Sequence, residues 1–351
     1  MAHKMTELDA KHAHYAETPW HKLGTVGHIW PYEAETMFNW AEVEKCPLYI
    51  EDIFRNTRDE KAAELAAAND NHAAFDASYK EYVALGNRQV LQMVEPSYRH
   101  IAHAEVTDRY QIVQHSFMTD TIVPILYDTG MVERIESLGT YNNGEVGYVS
   151  LKLANDIEIP GWSKVESMFN IGNGHDKKIP LLATQSARAV VCANTFQWNV
   201  LDKTPVYKFR KMGKPAEMME EAVRALADSF NRQETYKRNI ERLANEEYSN
   251  TQWRQLKQQL MPEPHVDAGD SMNTITRWLN NTEALDFRFH IDADVAGVRN
   301  TKWGALMAVQ AWEQKDKTIK GDKHKRQSTH QANVMFGKLP MTNKAAELLS
   351  I

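Results

Sequence analysis

The sequence predicts an α+β protein, in which an antiparallel β-meander in the N-terminal and central part packs with long helices in the C-terminal part. Two observations lead to this fold class. Up to about residue 200, apolar and polar residues alternate in short segments separated by turns, whereas from Pro215 onward apolar residues recur at steps of three and four. The change follows residues 186–196, which are nearly all small or β-branched and predict a buried strand whose one charge, Arg188, needs a partner.

Three regions are predicted along the 351 residues. Residues 1–18 have no clear period and are expected to form a flexible N-terminal arm. Residues 19–214 are expected to form the antiparallel sheet core, with an inserted helix at 59–85 where Ala, Glu and Lys are abundant. Residues 215–351 are expected to form a helical region that contains a basic loop at 315–338.

Residues 144–153 give the clearest strand signal. Val149, Leu151 and Leu153 alternate with polar residues there, and the preceding Asn142-Asn143-Gly144 predicts a tight hairpin turn. Connections this short leave no room for parallel crossovers, so the sheet is expected to be antiparallel. Further strands are predicted at 46–50, 89–94, 110–113, 165–171 and 179–193.

Apolar periodicity predicts the helices. Met219, Val223 and Leu226 begin a pattern that predicts one helix of about eight turns from Pro215 to Tyr248. Shorter helices are predicted at 117–127, 251–260, 270–280 and 300–317, with a break at Pro262-Glu263-Pro264.

Composition limits the classes of function. The 41 basic and 47 acidic residues give a net charge of −6, so binding of nucleic acid requires a local basic patch. Cys46 and Cys192 lie in apolar, strand-like surroundings, which favours buried free thiols in a reducing compartment. No stretch approaches the roughly 20 apolar residues of a spanning helix, and the polar N-terminus lacks the apolar core of a signal peptide. A cytoplasmic protein without a membrane partner is therefore expected.

A basic and aromatic run at residues 203–214 is the strongest functional signal. This run contains five cations, two aromatic residues and no acidic residue. Cations that follow phosphates, together with rings on which bases stack, are what a single-strand binding surface requires. The alternative is a solvated edge strand protected by its lysines. The residues predicted to bind nucleic acid there are Lys203, Tyr207, Lys208, Phe209, Arg210, Lys211 and Lys214.

A second basic segment lies between Lys315 and Lys338. Seven positive residues face two negative ones there, so the segment resembles a flexible loop able to close on a phosphate backbone. A plain solubilising loop is the alternative. The candidate contacts in its centre are Lys320, Lys323, Lys325 and Arg326.

Residues 286–294 suggest a metal site under an alternative hypothesis. If this segment is a strand, Asp286, His290, Asp292 and Asp294 share one face and supply ligands for Mg²⁺ or Mn²⁺, as in a metal-dependent nuclease. Such carboxylate-rich runs also occur in turns and helix caps. Outside this alternative no cofactor is predicted, because no nucleotide-binding loop and no nucleophile arrangement stands out. A binding protein is therefore favoured over an enzyme.

Three blocks of the chain resemble a family of phage- and plasmid-like proteins of unknown function. The first is Trp20-His21-Lys22-Leu23-Gly24-Thr25, which resembles the tryptophan, histidine and leucine-glycine-threonine start of that family. The second, at 186–195, is similar to its arginine, valine, cysteine, asparagine and threonine block. The third, at 300–310, carries Met307 where the family pattern has asparagine. The residues to which the blocks assign a structural role are Trp20, Gly24, Arg188, Cys192 and Asn194.

The resemblance implies a mobile genetic element in a bacterial host cytosol and brings no established reaction. A meander followed by a long helix, with a basic run at the junction, is similar to the architecture of phage single-strand annealing recombinases. Those proteins assemble into rings or filaments and pair complementary DNA strands without ATP. The leading hypothesis is therefore an oligomeric, ATP-independent protein that binds and anneals single-stranded DNA. The alternatives are the metal-dependent nuclease and a phage protein that modulates a host factor by protein contact.

Overall fold

The structure is a computed structural model that confirms the α+β class, with largely antiparallel sheets in the N-terminal and central part and helices in the C-terminal part. The chain divides into two compact units, one of residues 1–40, 115–174 and 178–351, and one of residues 41–114 and 175–177. The central sheet and the C-terminal helices thus share one unit. The structure describes residues 13–17, 24–32, 34, 40, 42–51, 82–93, 102–107, 109–159, 162–175, 179–189, 195–197, 207–208, 215–265, 269–317, 330, 333–334 and 338–349.

The larger unit contains a sheet of nine described strands. Its main path runs in the order β11-β10-β9-β7-β6-β1-β2, with β12 pairing with β10 and β8 with β9. All pairs are antiparallel except β1 with β2, which confirms the predicted meander. The strands are β1 (Ala13–Tyr15), β2 (Thr25–Val26), β6 (Val132–Tyr141), β7 (Val146–Leu153), β8 (Ile157–Ile159), β9 (Ser163–Gly174), β10 (Leu182–Ala189), β11 (Thr195–Gln197) and β12 (Tyr207–Lys208).

The N-terminal strand departs from the predicted arm of residues 1–18. Ala13–Tyr15 form β1, which pairs with β6 so that His14 lies opposite Leu138. Gly24 allows β2 to follow, because its φ is +86° and a Cβ there would lie 2.7 Å from the carbonyl oxygen of Ala13. Only glycine accepts both conditions without strain.

The predicted hairpin between β6 and β7 is confirmed. Asn142 and Asn143 both have φ of 57° and Gly144 has φ of 83°, which is the left-handed geometry that Asn and Gly tolerate. The buried side chain of His115 lies beside this turn, with Nε2 2.9 Å from the Gly144 carbonyl oxygen and Nδ1 3.1 Å from Nδ2 of Asn173. Donation from Nε2 and acceptance at Nδ1 satisfy both contacts of a neutral imidazole.

A row of polar side chains crosses the centre of the sheet. The Ser150 hydroxyl donates to Oδ1 of Asn170 at 2.7 Å, and Nδ2 of Asn170 donates to Oγ of Ser186 at 2.7 Å. All three residues are buried. Because each buried polar atom in this row has a partner on the next strand, the row favours the register of β7, β9 and β10.

The C-terminal helices pack around a large apolar core in the larger unit. Tyr236, Trp253, Phe289 and Trp303 are each almost fully buried there, and Trp253 stacks on Phe289 with ring centroids 4.3 Å apart. The helices are α2 (Pro215–Asn231), α3 (Gln233–Asn245), α4 (Asn250–Leu260), α5 (Met272–His290), α6 (Lys302–Ala311) and α7 (Pro340–Leu348). A 3₁₀ turn at Ala293–Val298 precedes α6, and a π turn at Trp312–Asp316 follows it.

Two helix predictions need correction. The single helix predicted from Pro215 to Tyr248 is two helices, because the regular pattern stops at Arg232 between α2 and α3. The predicted helix at 270–280 continues to His290, since its core residues Leu285 and Phe289 prolong the apolar stripe. The helix predicted at 117–127 is confirmed as a π turn at Met118–Ile122 followed by α1 (Val123–Asp128).

The smaller unit is a three-stranded antiparallel sheet in the order β3-β4-β5, formed by β3 (Val43–Glu51), β4 (Tyr82–Met93) and β5 (Ala102–Thr107). Strand β4 includes residues 82–85, which were predicted as the end of a helix; the rest of that prediction lies outside the described residues. The strand predicted at 110–113 is irregular. The Gln114 side chain instead bonds both backbone groups of Val43, at 3.1 and 2.7 Å, and so replaces a strand partner.

Within the described part of the chain, no helix combines the length and the apolar character that crossing a bilayer requires.

Candidate nucleic-acid interface

Two residues of the basic and aromatic run, Tyr207 and Lys208, form β12 at an edge of the large sheet. Strand β10 pairs with β9 on one side and with both β11 and β12 on the other. Tyr207 lies opposite Ala183 and Lys208 opposite Leu182. Helix α2 begins seven residues after Lys208, at Pro215. The described part of the run therefore lies beside β10, and it precedes the first long helix in the chain.

Tyr207 joins this edge strand to α2. Its hydroxyl donates to Oδ2 of Asp228 at 2.8 Å. Burial, together with the Asp228 carboxylate, raises the pKa of Tyr207 far above that of a free tyrosine, so the donor stays protonated. The hydroxyl is thus engaged within the protein, and the residue is half-buried.

An open cleft lies beside Tyr207. It has a volume of about 460 Å³ and is lined by Tyr207 and by one face of α2. Glu221 and Asp228 bring carboxylates to this cleft, and Arg224 pairs with Glu220 at 2.9 Å. The cleft itself is therefore not a cationic surface.

Several predicted residues lie outside the described part of the chain. Lys208 is described as a strand residue only. The predicted residues whose structure is not described are Trp20, Cys192, Asn194, Lys203, Phe209, Arg210, Lys211, Lys214, Lys320, Lys323, Lys325 and Arg326.

The described ends of the second basic segment are held close together. The Glu313 carboxylate, which is 1% exposed, accepts from the backbone N–H of Thr342 at 2.8 Å and from Lys317 Nζ at 2.8 Å. His330 Nε2 lies 3.3 Å from the Gln314 carbonyl oxygen. The segment that holds the four central cations thus starts and ends near Glu313.

Arg188 lies on β10, one strand in from the edge that β11 and β12 form. Its register partners are Glu166 on β9 and Thr195 on β11. Glu166 is 8% exposed, and its carboxylate lies 4.0 Å from Lys152 Nζ. The strand register therefore places an acidic residue directly opposite Arg188.

The geometry proposed for a metal site is wrong, because residues 286–290 are helical and not a strand. Asp286 accepts from Trp253 Nε1 at 2.7 Å and from Lys257 Nζ at 2.6 Å. Asp292 accepts from Arg288 at 2.5 Å. His290 is exposed in the last turn of α5, and Asp294 lies in the following 3₁₀ turn. Among the described residues no group of three or more His, Cys, Asp or Glu side chains is placed to hold a metal ion.

Sequence reasoning missed an aromatic patch, which we define as His28, Trp30, Tyr32 and Tyr127. Trp30 is 53% exposed and Tyr32 is 61% exposed. The His28 ring meets Trp30 edge to face at 4.2 Å, and Tyr32 meets Tyr127 in the same way at 5.8 Å. The sequence signal is the alternation of three rings, His28, Trp30 and Tyr32, with the two buried residues Ile29 and Pro31.

Fold and site together define an α+β protein in which two residues of a basic and aromatic run, Tyr207 and Lys208, form an edge strand of the sheet. The family model described as Domain of unknown function (DUF932) matches residues 102–335, and the chain belongs to this family. No curated protein and no solved structure matches the chain significantly.

Proposed function

We propose that this protein is a phage- or plasmid-encoded, oligomeric protein that binds single-stranded DNA in the bacterial cytoplasm and anneals complementary strands without ATP. The position of the basic and aromatic run supports this most. Strand β12 pairs with β10 at the sheet edge, and Pro215 begins α2. A strand of DNA that follows residues 203–214 would therefore lie along an edge with a rigid helix and sheet behind it.

The residues of the run have different roles in this proposal. Lys203, Lys208, Arg210, Lys211 and Lys214 neutralise phosphates, and Phe209 stacks on a base. Tyr207 holds β12 against α2 through Asp228, so its main role is positional. The second basic segment, between α6 and α7, supplies further phosphate contacts through Lys320, Lys323, Lys325 and Arg326.

Charge determines the path of the DNA. The carboxylates of Glu221 and Asp228 line the cleft beside Tyr207 and repel phosphate. The proposed path therefore follows the basic residues of the run at 203–214 and does not enter this cleft. Neutralising Glu221 is expected to leave the affinity for DNA unchanged or slightly higher.

A titration of labelled oligonucleotide by fluorescence anisotropy tests the proposal. Binding should weaken as salt rises, with a slope of roughly −0.7 per phosphate contact on single strands. The double variant Arg210→Gln with Lys211→Gln should flatten that slope by about 1.4. The double variant Arg254→Gln with Arg277→Gln removes the same charge from exposed positions on α4 and α5 and should bind as the wild type does. Absence of binding by the wild type at low salt would end the proposal.

Annealing and assembly need their own measurements. Complementary strands labelled with a dye and a quencher should pair faster with the protein than alone, in buffer without ATP. Electron micrographs with oligonucleotide should show rings or filaments. Binding without faster pairing would reduce the proposal to a single-strand binding protein.

The alternative of a phage protein that modulates a host factor stays a prediction. Capture of host proteins from nuclease-treated lysate tests it, since partners that remain after nuclease treatment do not depend on DNA.

A further inference from the structure

We propose that the aromatic patch is a second contact for single-stranded nucleic acid, on which bases stack; this inference rests on the proposed function. The patch belongs to the segment directly after β2, at the opposite edge of the sheet from β12. It consists of described residues only.

The rings of the patch are exposed and yet held in place. Ile29 is fully buried and Pro31 is also buried, so the backbone between the rings is fixed against the core. Tyr32 donates its hydroxyl to Asp128, and the Tyr127 ring stands at 89° to it. Trp30 is supported by His28. Rings that are already ordered lose little conformational entropy when a ligand stacks on them.

The chemistry of the patch favours nucleic acid over a peptide. Peptides that add to a sheet edge rely on backbone hydrogen bonds, and Pro31 has no N–H to offer at this edge. The exposed side chains from His28 to Tyr32 are π systems, whereas the aliphatic residues between them, Ile29 and Pro31, are buried. Each base has a π face, so such rings bind single strands without regard to sequence.

The position of the patch predicts a dependence on oligonucleotide length. Six strand-to-strand steps separate β12 from β2 in the sheet order, which corresponds to about 29 Å at about 4.8 Å per step. At the 3.4 Å step of duplex DNA, this distance corresponds to roughly nine nucleotides, and to fewer when the strand is extended. Short oligonucleotides can therefore occupy the basic run alone, and longer ones can reach both contacts.

The experiment compares Trp30→Ala, Tyr32→Ala and Trp30→Phe with wild type over a series of oligonucleotide lengths and salt concentrations. Each alanine variant should bind long single strands roughly 5- to 150-fold more weakly, as expected for the loss of one stacked base. The salt slope should stay that of the wild type, because stacking releases no counterions. Trp30→Phe keeps a ring and should recover most of the affinity. Phe287→Ala removes an aromatic ring that is 48% exposed on α5 and serves as the matched control.

The possible results separate the two proposals. If the wild type binds and both alanine variants bind equally well at every length, the inference is wrong and the proposed function stands. If the wild type does not bind at low salt, the proposed function fails and the inference fails with it. If Trp30→Ala leaves DNA binding intact but lowers the mass of the assembly in solution, the patch is a protein contact. Crosslinking of an iodouracil oligonucleotide to the peptide that contains Trp30 would support direct contact with bases.

Discussion

Arg288 and Asp316 form an ion pair with two parallel hydrogen bonds, Nε to Oδ2 at 2.7 Å and Nη2 to Oδ1 at 2.9 Å. A third bond joins Nη1 of Arg288 to Asp292. The Arg288 side chain is only 13% exposed, and these carboxylates raise its pKa further above that of free arginine. One guanidinium thus bonds two partly buried carboxylates and links the end of α5 to the π turn after α6.

Replacing Arg288 with Met should lower the free energy of unfolding by about 3 kcal/mol, because two carboxylates are left partly buried without their cation. Urea denaturation measures this change. The control is Arg224→Met, which breaks the exposed pair with Glu220 and should change stability by about 0.5 kcal/mol or less. Equal effects of the two substitutions would contradict the structural role of Arg288.

Glu313 should be essential for the attachment of α7. Its carboxylate accepts four hydrogen bonds: from Lys317 Nζ, from the backbone N–H groups of Met341 and Thr342, and from the Thr342 hydroxyl. Glu313→Ala leaves the buried N–H and hydroxyl of Thr342 without an acceptor and should lower the free energy of unfolding by about 3 kcal/mol. Hydrogen exchange should accelerate at the amides of Met341 and Thr342 while the amides of β7 are unaffected. Glu313→Gln retains one acceptor oxygen, so its free energy of unfolding should fall less than that of Glu313→Ala.

Gly147 should not tolerate a side chain. A Cβ at this position would lie 2.6 Å from Cγ of His115, whose ring is fully buried and bonded on both sides. Gly147→Ala should therefore destabilise the protein by about 2 kcal/mol. Gly27→Ala is the comparison, because its Cβ would meet His14 at an ordinary 3.6 Å. Thermal unfolding of both variants measures the difference. A Gly147→Ala protein as stable as the wild type would contradict the close approach of Gly147 to His115.

His14 should make the protein less stable in acid. Burial lowers the pKa of His14 below 6.5, although a backbone hydrogen bond with Gly27 acts in the opposite direction. The unfolded chain therefore binds the proton more tightly than the folded chain does. The contribution of neutral His14 to stability is complete above pH 6.5 and is lost as the pH falls from there through the lowered pKa of the folded state. Thermal unfolding between pH 5 and 8 should show a smaller acid loss for His14→Gln than for wild type. If both proteins lose the same stability in acid, groups other than His14 cause the acid sensitivity.

The strands of the meander were predictable because their signals are local. Alternation in 146–153 and the turn residues Asn142 to Gly144 identify a hairpin without knowledge of the rest of the fold. The interruption at Arg232 was not predictable, since the apolar period continues across it. The strand predicted at 110–113 was wrong, since these residues form no regular strand, and the Gln114 side chain that follows them bonds both backbone groups of Val43.

Part of the candidate site could also be predicted from the sequence, and part could not. Composition identified the run at 203–214, and pairing of β12 with β10 placed its residues Tyr207 and Lys208 at a sheet edge. The supposed metal ligands were assigned from a period of two, which the helix α5 does not have. The aromatic patch escaped notice because exposure of Trp30 and Tyr32 depends on which neighbouring residues are buried.

The sequence by itself determined the α+β class, the antiparallel meander, the order of sheet before helices and the location of the basic run. These features follow from period, turn chemistry and charge, all of which act between near neighbours in the chain. Only the tertiary structure decided that Asp286 and Asp292 are neutralised by Lys257 and Arg288. It alone also placed Tyr207 against Asp228 and left the patch around Trp30 at the surface. Such pairings join residues from different elements, and their burial and charge balance depend on packing that no local pattern contains.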